Sequence, residues 1–404
     1  DLMRRNERMP AFDGELRFDA THALDDLALP ANAEIRRIAA EQSNSSLVVG
    51  DTVVLKVLRK LSEGVHPEAE MGRFLTLHGF THMPAMLGEV SRVTGQDGKP
   101  GKSGKDERYT LMVMQRFIHN QGDGWQWTLN TLQRTGQSGS MPGLDATGNP
   151  TVEGGNTMQE FTAFASSLGQ RLGEMHRTLA TAGTEPAFEP EAASKDVAGQ
   201  WAADALAQLD AAFAVLDKAE GLAGDDEAAA LALVKSRKAL QTSVKKLATA
   251  AAGALCIRIH GDFHLGQVLV SSGDVFLVDF EGEPAKPLEE RRAKASPWRD
   301  VAGLLRSFDY AAAFAARSDA DHNIASGLFS QYLDASSSAF LDAYRQAMPE
   351  AAGRGAEELL QLFTLQKAAY EVCYEAANRP TWIGVPLQGL ARLAATLVSG
   401  KDAA

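Results

Sequence analysis

The chain has little of what a membrane protein, a disulfide-framed secreted domain or a nucleic-acid-binding protein needs. It carries only two cysteines, Cys256 and Cys373, in 404 residues, which cannot form a disulfide framework and indicate a reducing cytoplasm. No apolar run approaches the roughly 18 uncharged residues of a membrane span, and we find no secretory signal. The formal net charge of −12 disfavours nucleic acid, whose phosphate backbone selects basic faces. These absences predict a soluble cytoplasmic protein that binds neither a membrane nor nucleic acid.

The composition does provide enough apolar material for more than one hydrophobic core. Hydrophobic residues make up 45% of the sequence, and two lobes are the natural expectation for this length. β-Branched runs on both sides of Gly50 predict a hairpin within Glu34 to Leu58. A helix is predicted from Pro67 to Leu77 and a further strand from Arg108 to Met114. Residues 1–115 are therefore predicted to form a small β-rich lobe.

Beyond Phe117 the pattern becomes helical, and residues 116–404 are predicted to form a large, mostly α-helical lobe. Apolar residues in its first helix recur at i, i+3, i+4 and i+7. The predicted helices lie near Met158 to Thr181, Ser194 to Lys218, Asp225 to Ala252, Pro297 to Arg317, Ile324 to Ala347, Ala356 to Asn378 and Leu387 to Val398. Two segments rich in glycine and serine, Gly95 to Lys105 and Gly136 to Asn156, are predicted to be loops. The fold class is α+β.

The most informative stretch runs from Arg258 to Glu283 and contains two aspartates. Asp262 lies in the segment HGDFH, and Asp279 ends an apolar run before an acidic, glycine-containing turn. An unpaired carboxylate at the end of a buried strand is costly to desolvate, whereas Mg²⁺ prefers one or two carboxylates together with phosphate oxygens and water. Phosphoryl transfer needs one carboxylate to accept a proton and another to hold the metal. The competing interpretations are a turn residue for Asp262 and a salt-bridged strand end for Asp279.

This stretch resembles the aminoglycoside-phosphotransferase-like kinases and, among them, the maltokinase family. The resemblance continues through the segments Ala40 to Leu75, Val278 to Ala312 and Tyr370 to Leu387. It implies a two-lobed protein-kinase-like fold that binds ATP and Mg²⁺. It also implies that Asp262 is the catalytic base and that the metal ligands are Gln267, Asp279 and Glu281. Gln267 stands where the wider group usually has asparagine.

For the nucleotide, a cation midway along an apolar strand is the main candidate. Lys56 lies in the run Val53 to Leu58, and either Glu68 or Glu70 on the following helix is expected to pair with it. A solvent-facing lysine on an edge strand is the alternative. No glycine-rich loop precedes the strand, and a polar turn is predicted to contact the phosphates in its place. The predicted phosphate and adenine contacts are Ser43, Asn44, Ser45, Ser46, Gln115 and Phe117.

For the acceptor, the resemblance implies a sugar held by aromatic and bidentate polar side chains near the carboxyl end. The predicted substrate-binding residues are His260, Arg306, Asp309, Tyr370, Glu371, Tyr374, Asn378, Arg379 and Trp382. A helix with a buried aromatic stripe is the structural alternative, because Tyr370 and Tyr374 are four residues apart. His260 and its neighbour His264 can also serve simply to brace the loop.

The resemblance further implies that maltose is phosphorylated at its anomeric hydroxyl to give maltose 1-phosphate for α-glucan and glycogen synthesis. Compared with that family, the amino-terminal cap is short, from which we expect a fragment or the carboxyl-terminal part of a fusion with trehalose synthase. Two alternatives remain open: a kinase of an aminoglycoside or choline, and a non-catalytic nucleotide-binding module.

Overall fold

The computed structural model describes residues 1–11, 14–30, 32–38, 44–94, 107–137, 152–183, 185–219, 221–318 and 322–399, apart from the side chains of 152–157 and 322–326. The chain divides into two compact units. The first comprises Asp1–Asp123, His260–Asp262 and Gln267–Ala293, and the second comprises Gly124–Ile259, Phe263–Gly266 and Lys294–Ala404. The predicted boundary after residue 115 divides the chain once, whereas Asp262 and Asp279 both belong to the first unit.

The strands of the described residues are β1 (Arg8–Ala11), β2 (Gly14–Ala20), β3 (Ile35–Ile38), β4 (Asn44–Val49), β5 (Val53–Leu58), β6 (Met86–Thr94), β7 (Glu107–Arg116), β8 (Glu191–Ala192), β9 (Leu255–Cys256), β10 (Val268–Ser271) and β11 (Asp274–Leu277). The α-helices are α1 (Pro67–Leu77), α2 (Gly124–Gln137), α3 (Val152–Leu179), α4 (Lys195–Leu216), α5 (Asp225–Ala250), α6 (Leu288–Arg292), α7 (Trp298–Ser318), α8 (His322–Ala347), α9 (Ala356–Asn378) and α10 (Gly384–Ser399). None of these described helices is long and apolar enough to cross a membrane.

The first unit is built on a seven-stranded antiparallel sheet in the order β1-β2-β6-β7-β5-β4-β3. The predicted hairpin is confirmed as β4 and β5, and its turn places Gly50 and Asp51 at φ angles of 57° and 47°. In this register Lys56 pairs with Ser46 on one side and with Val113 on the other. Lys56 therefore lies on an interior strand of the sheet, not on an edge strand facing solvent.

Helix α1 covers one face of this sheet and has the predicted bounds. Pro67 occupies its first turn together with two glutamates, which suit the positive end of the helix dipole. Its apolar face is buried, with Met71, Phe74 and Leu75 each no more than 1% exposed. The packing of this face fixes the rotation of the helix and so determines which glutamate points toward β5.

The second unit is mostly helical. Helix α3 lies along α8, and the approach is close enough that a Cβ atom on Gly169 would come within 2.2 Å of the Phe340 carbonyl oxygen. The periodic apolar residues of α3, among them Leu168 and Leu172, are fully buried as predicted. A buried His176 imidazole lies 3.0 Å from both the Tyr344 hydroxyl and Asp300 Oδ2, and it ties α3 to α8 and α7.

Several elements differ from the predictions. Strands β1 and β6 and helix α2 were not predicted, and β6 lacks an alternating pattern because nearly all of its residues are buried. The loop predicted for Gly136 to Asn156 was wrong at both ends, since α2 continues to Gln137 and α3 begins at Val152. The other predicted loop, Gly95 to Lys105, lies outside the described residues.

Candidate active site

The hairpin of β10 and β11 brings Gln267 and Asp279 together. Val278 donates its amide to the Gln267 carbonyl oxygen at 3.0 Å, and Gln267 Nε2 donates to Asp279 Oδ2 at 3.2 Å. Asp279 adopts a φ of 68°, a left-handed conformation that costs most non-glycine residues about 1–2 kcal/mol. This conformation turns the chain sharply at the end of the strand, so that the carboxylate faces the rest of the first unit.

The loop that carries Asp262 runs beside the end of this strand. His260 Nε2 lies 2.8 Å from the Val278 carbonyl oxygen, and its ring packs against Phe280 at a centroid distance of 5.2 Å. Gly261 has a φ of 85°, and a Cβ there would lie 3.4 Å from the Gly282 Cα. His260 is 1% exposed, which suits the bracing role better than a contact with substrate. Asp262, two residues after His260, is only partly buried.

Lys56 joins this centre through two short ion pairs. Its Nζ donates to Glu68 Oε1 and to Asp279 Oδ1, both at 2.7 Å. Gln115 Nε2 also donates to Glu68 Oε1, at 3.2 Å. Of the two glutamates left open by the sequence, the structure therefore pairs Glu68 with Lys56.

Glu70 has a different partner on the short helix α6. Arg292 donates to its two carboxylate oxygens through Nε at 2.9 Å and Nη2 at 2.6 Å. This is a bidentate pair with two parallel hydrogen bonds. Glu70 therefore fastens α6 to α1 and does not orient Lys56.

Burial and charge shift the pKa values in this centre. Burial opposes the charge on Lys56, but the carboxylates of Glu68 and Asp279 outweigh it and raise the pKa of the lysine. Burial also works against ionised Asp279, yet the charge of Lys56 holds the pKa of that carboxyl below its usual range. Burial, together with the negative charges of Asp279 and Glu68, raises the pKa of Glu281 to about 7.

The predicted metal ligands fit a cation that arrives with a nucleotide. Among the described residues there is no group of three or more histidine, cysteine or carboxylate side chains that could hold an ion alone. Mg²⁺ is commonly held by one or two carboxylates with phosphate oxygens and water, and Asp279 supplies such a carboxylate beside the Gln267 amide. Glu281 is 6% exposed, and its carbonyl oxygen accepts from Arg291 Nη1 at 3.0 Å.

The other predicted nucleotide contacts lie mostly within strands. Ser43 falls outside the described residues, while Asn44, Ser45 and Ser46 begin β4. The Phe117 amide already donates to the Thr52 carbonyl oxygen at 2.8 Å. Gln115, whose side chain binds Glu68, supports the lysine pair. The predicted contacts with adenine thus remain predictions.

In the second unit, the predicted acceptor residues on α7 and α9 form a charged cluster. Arg306 donates to Glu371 Oε2 through Nε at 2.9 Å and Nη2 at 2.6 Å, and it also bonds to Asp309. Asp309 accepts a further bond from Arg392 at 2.9 Å. The Tyr310 hydroxyl donates to Glu375 at 3.0 Å, and Arg379 pairs with the same carboxylate. Tyr310 and Glu375 follow Arg306 and Glu371 by four residues on the same helices, and they extend this cluster.

The predicted aromatic residues lie in two different settings. Trp382 stacks on Phe314 at 5.1 Å, with the guanidinium groups of Arg317 and Arg379 at 5.2 and 5.7 Å from its ring. Tyr370 and Tyr374 stack on each other at 6.2 Å and are 36% and 46% exposed. The buried-stripe alternative is therefore wrong for these two tyrosines. Asn378 donates to the Tyr374 carbonyl oxygen at 2.9 Å and closes the helix end.

Relatives of the chain are found among glucosamine kinases. The enzyme of Streptacidiphilus jiangxiensis is 29% identical over 367 residues, which cover 89% of this chain and 73% of the relative. The enzyme of Mycolicibacterium smegmatis is 26% identical over 356 residues, which cover 87% and 77%. No protein-family model matches the chain.

Solved structures establish the fold. A glucosamine kinase in complex with glucosamine, ADP and inorganic phosphate superposes with a TM-score of 0.72 at 23% identity, covering 95% of this chain and 80% of the other. A further crystal form of a glucosamine kinase gives a TM-score of 0.68, also at 23% identity, over 92% and 82%. The chain thus has the predicted protein-kinase-like α+β fold, with a small β-rich lobe and a large helical one.

Proposed function

We propose that this protein is an ATP-dependent kinase of a small sugar and that its acceptor is an amino sugar of the glucosamine type. The observation that carries the proposal is the pair of 2.7 Å contacts from Lys56 to Glu68 and Asp279, with the Asp262 loop bonded to the same strand end. A buried lysine held between two carboxylates is typical of kinases, in which the ammonium group meets nucleotide phosphates.

Each residue of this centre has a distinct role in the proposed transfer. Asp262 accepts the proton of the attacking sugar hydroxyl, whose oxygen forms a bond to the terminal phosphorus while the bond to ADP breaks. Lys56, oriented by Glu68, neutralises phosphate charge. Asp279 and Gln267 would hold a divalent cation, which supplies further positive charge against the phosphates when bound.

The amino-sugar acceptor is supported by the charge pattern of the second unit and by the relatives. Both guanidinium bonds from Arg306 go to Oε2 of Glu371. Burial raises the pKa of this carboxyl, and a nearby ammonium group would stabilise its charged form. Two relatives of the chain, 29% and 26% identical to it, are named glucosamine kinases.

Maltose is the second candidate. The stacked Tyr370 and Tyr374 rings are exposed, and such rings can cover the apolar face of a second sugar ring. Glucosamine has one ring and would leave this pair unused. The two acceptors would therefore contact different residues of α9: Glu371 for glucosamine, and Tyr370 and Tyr374 for the second ring of maltose.

The test is ADP release in the presence of ATP and Mg²⁺ with glucosamine, maltose, glucose, kanamycin and choline as separate acceptors. We expect glucosamine to give the highest kcat/KM, and Asp262→Asn to lower it by about a thousandfold or more. Asp26→Asn, the same chemical change at an exposed position, serves as the matched control. Turnover of maltose alone would favour the second candidate, and turnover of choline or kanamycin alone would overturn both.

A further inference from the structure

Two buried nitrogen atoms near the Lys56 centre have no hydrogen-bond partner among the described residues. They are Nδ1 of His66 and Nε of Arg291. His66 is 8% exposed, and the side chain of Arg291 is 10% exposed. A buried polar group without a partner costs about 1–3 kcal/mol. Two of them in one charged region indicate that a partner from outside the described residues satisfies them.

His66 stands at the amino end of α1 without capping it. Its carbonyl oxygen accepts from the Glu70 amide at 3.0 Å, but its side chain makes no capping bond, and Pro67 has no N–H to contribute. The N–H groups of Glu68 and Ala69 in the first turn therefore have no hydrogen-bond acceptor on the N-cap side chain, which usually provides one. A helix end of this kind attracts anions.

The surrounding charges favour an anion delivered with a cation. Burial and the positive charges of Arg291 and Lys56 lower the pKa of His66 to about 4, with Asp279 opposing, so the imidazole is neutral near pH 7 and offers one N–H. Arg291 is anchored by its Nη1 bond to the Glu281 carbonyl oxygen. Glu68, Asp279 and Glu281 are carboxylates of this region. Their charge would repel a bare anion but not a phosphate that arrives with a divalent metal.

We propose that His66 and Arg291 bind the terminal phosphate of the nucleotide, His66 through Nδ1–H and Arg291 through Nε–H, at the amino end of α1. This inference rests on the proposed kinase function. The recognised chemistry is a tetrahedral phosphate, either the γ-phosphate of ATP or free phosphate. His66 forms no bond to phosphorus and holds the group in place while it moves from ADP to the acceptor oxygen.

The test compares thermal unfolding of the whole chain with three ligands: Mg²⁺–ADP, the non-hydrolysable analogue Mg²⁺–AMP-PNP, and inorganic phosphate. For His66→Ala we expect an unchanged or higher Tm without ligand, because an unpaired buried group is removed. The stabilisation by ADP should persist, while the additional stabilisation by AMP-PNP should be lost. We also expect kcat/KM for ATP to fall at least tenfold.

Two further variants separate the roles of the ring nitrogens. An asparagine amide reaches the position of Nδ1, so His66→Asn should restore part of the AMP-PNP shift, whereas His66→Gln, which mimics Nε2, should not. His78 lies at the other end of α1, and His78→Asn is the matched control expected to leave both shifts intact. Loss of a phosphate-alone shift in His66→Ala would extend the site to free phosphate.

A lower Tm of ligand-free His66→Ala with an unchanged AMP-PNP shift would make His66 structural and overturn the proposal. Should that variant fail to fold, Arg291→Lys removes the Nε donor and keeps the charge, and the same loss of the AMP-PNP shift is expected. Retention of the shift in Arg291→Lys would then overturn it. The wild type could also show no turnover with any sugar but an AMP-PNP shift that His66→Ala abolishes. That result would contradict the proposed acceptor but support the phosphate site.

Discussion

At the scale of single residues, the centre is determined by buried charged side chains. An unpaired buried charge has a large desolvation penalty, so these side chains form ion pairs. Lys56 is 7% exposed and Glu68 is fully buried, so neither could keep its charge without the other. Glu281 is the exception, because burial and the negative charges of Asp279 and Glu68 outweigh the positive charges of Lys56 and Arg291 and raise its pKa.

For Glu281 the sign follows from its proton binding. Its folded-state pKa of about 7 lies above the usual 4.5, so the folded protein binds more protons than the unfolded chain between these values. Stability must then fall as pH rises through this window. We expect Glu281→Gln to gain stability relative to the wild type at pH 8 and to gain less at pH 4.5. Urea unfolding at both values checks this, and an equal difference at the two values would contradict it.

At the scale of elements, pairing between β5 and α1 decides which glutamate orients the lysine. The sequence identified Lys56, and it placed both glutamates on one helix with the correct bounds. It could not choose between Glu68 and Glu70, because the choice depends on how the apolar face of α1 is rotated on the sheet. Arg292, the partner of Glu70, lies 222 residues away in the sequence. Local sequence patterns cannot predict a pair of this separation.

A double-mutant cycle measures this pairing. Lys56→Met and Glu68→Gln should be strongly non-additive in kcat/KM for ATP, with a coupling of about 1–3 kcal/mol. Lys56→Met and Glu70→Gln should add within about 0.5 kcal/mol, because Glu70 binds Arg292. Coupling of equal size for both glutamates would remove the special role of Glu68.

The packing of α3 on α8 gives a second test at this scale. A Cβ on Gly169 would lie 2.2 Å from a backbone oxygen, whereas a Cβ on Gly199 in α4 meets nothing within 4 Å. We expect Gly169→Ala to lower the free energy of unfolding by about 1–3 kcal/mol through overpacking. Gly199→Ala should raise it by about 0.5–1 kcal/mol through helix propensity. Chemical denaturation of both variants provides the comparison.

At the scale of the whole molecule, the chain leaves its first unit at Asp123 and returns to it at His260. Sequence patterns predicted a β-rich lobe followed by a helical one, and the alternation of strands and the period of helices were sufficient for that. They could not reveal the return, because unit membership depends on long-range contacts. Strand β6 was missed for a related reason: burial on both faces erases the alternation that identifies a strand.

The acceptor residues illustrate the limit of sequence reasoning most clearly. Residues of α9 that are neighbours in sequence have different environments: Glu371 is buried against Arg306, while Tyr370 is exposed. A helical wheel places all of them on one broad arc, and only the packing of α7 separates them. The predicted sugar site therefore consists of an inner charged part and an outer aromatic part, which need not serve the same ligand.

These two parts can be separated by acceptor kinetics. Trp382 stacks on Phe314 beside Arg379, so Trp382→Ala should raise KM for either sugar about tenfold or more, and it should leave KM for ATP nearly unchanged because the nucleotide residues belong to the other unit. Tyr374→Ala removes an exposed ring that stacks on Tyr370 and meets the charged cluster only through the Arg379 guanidinium, 6.0 Å from its centroid, among the contacts of the described residues. It should raise KM for maltose while sparing glucosamine. If Tyr374→Ala weakened glucosamine as much as maltose, the outer tyrosines would belong to the primary sugar site, and the division of α9 into two parts would be wrong.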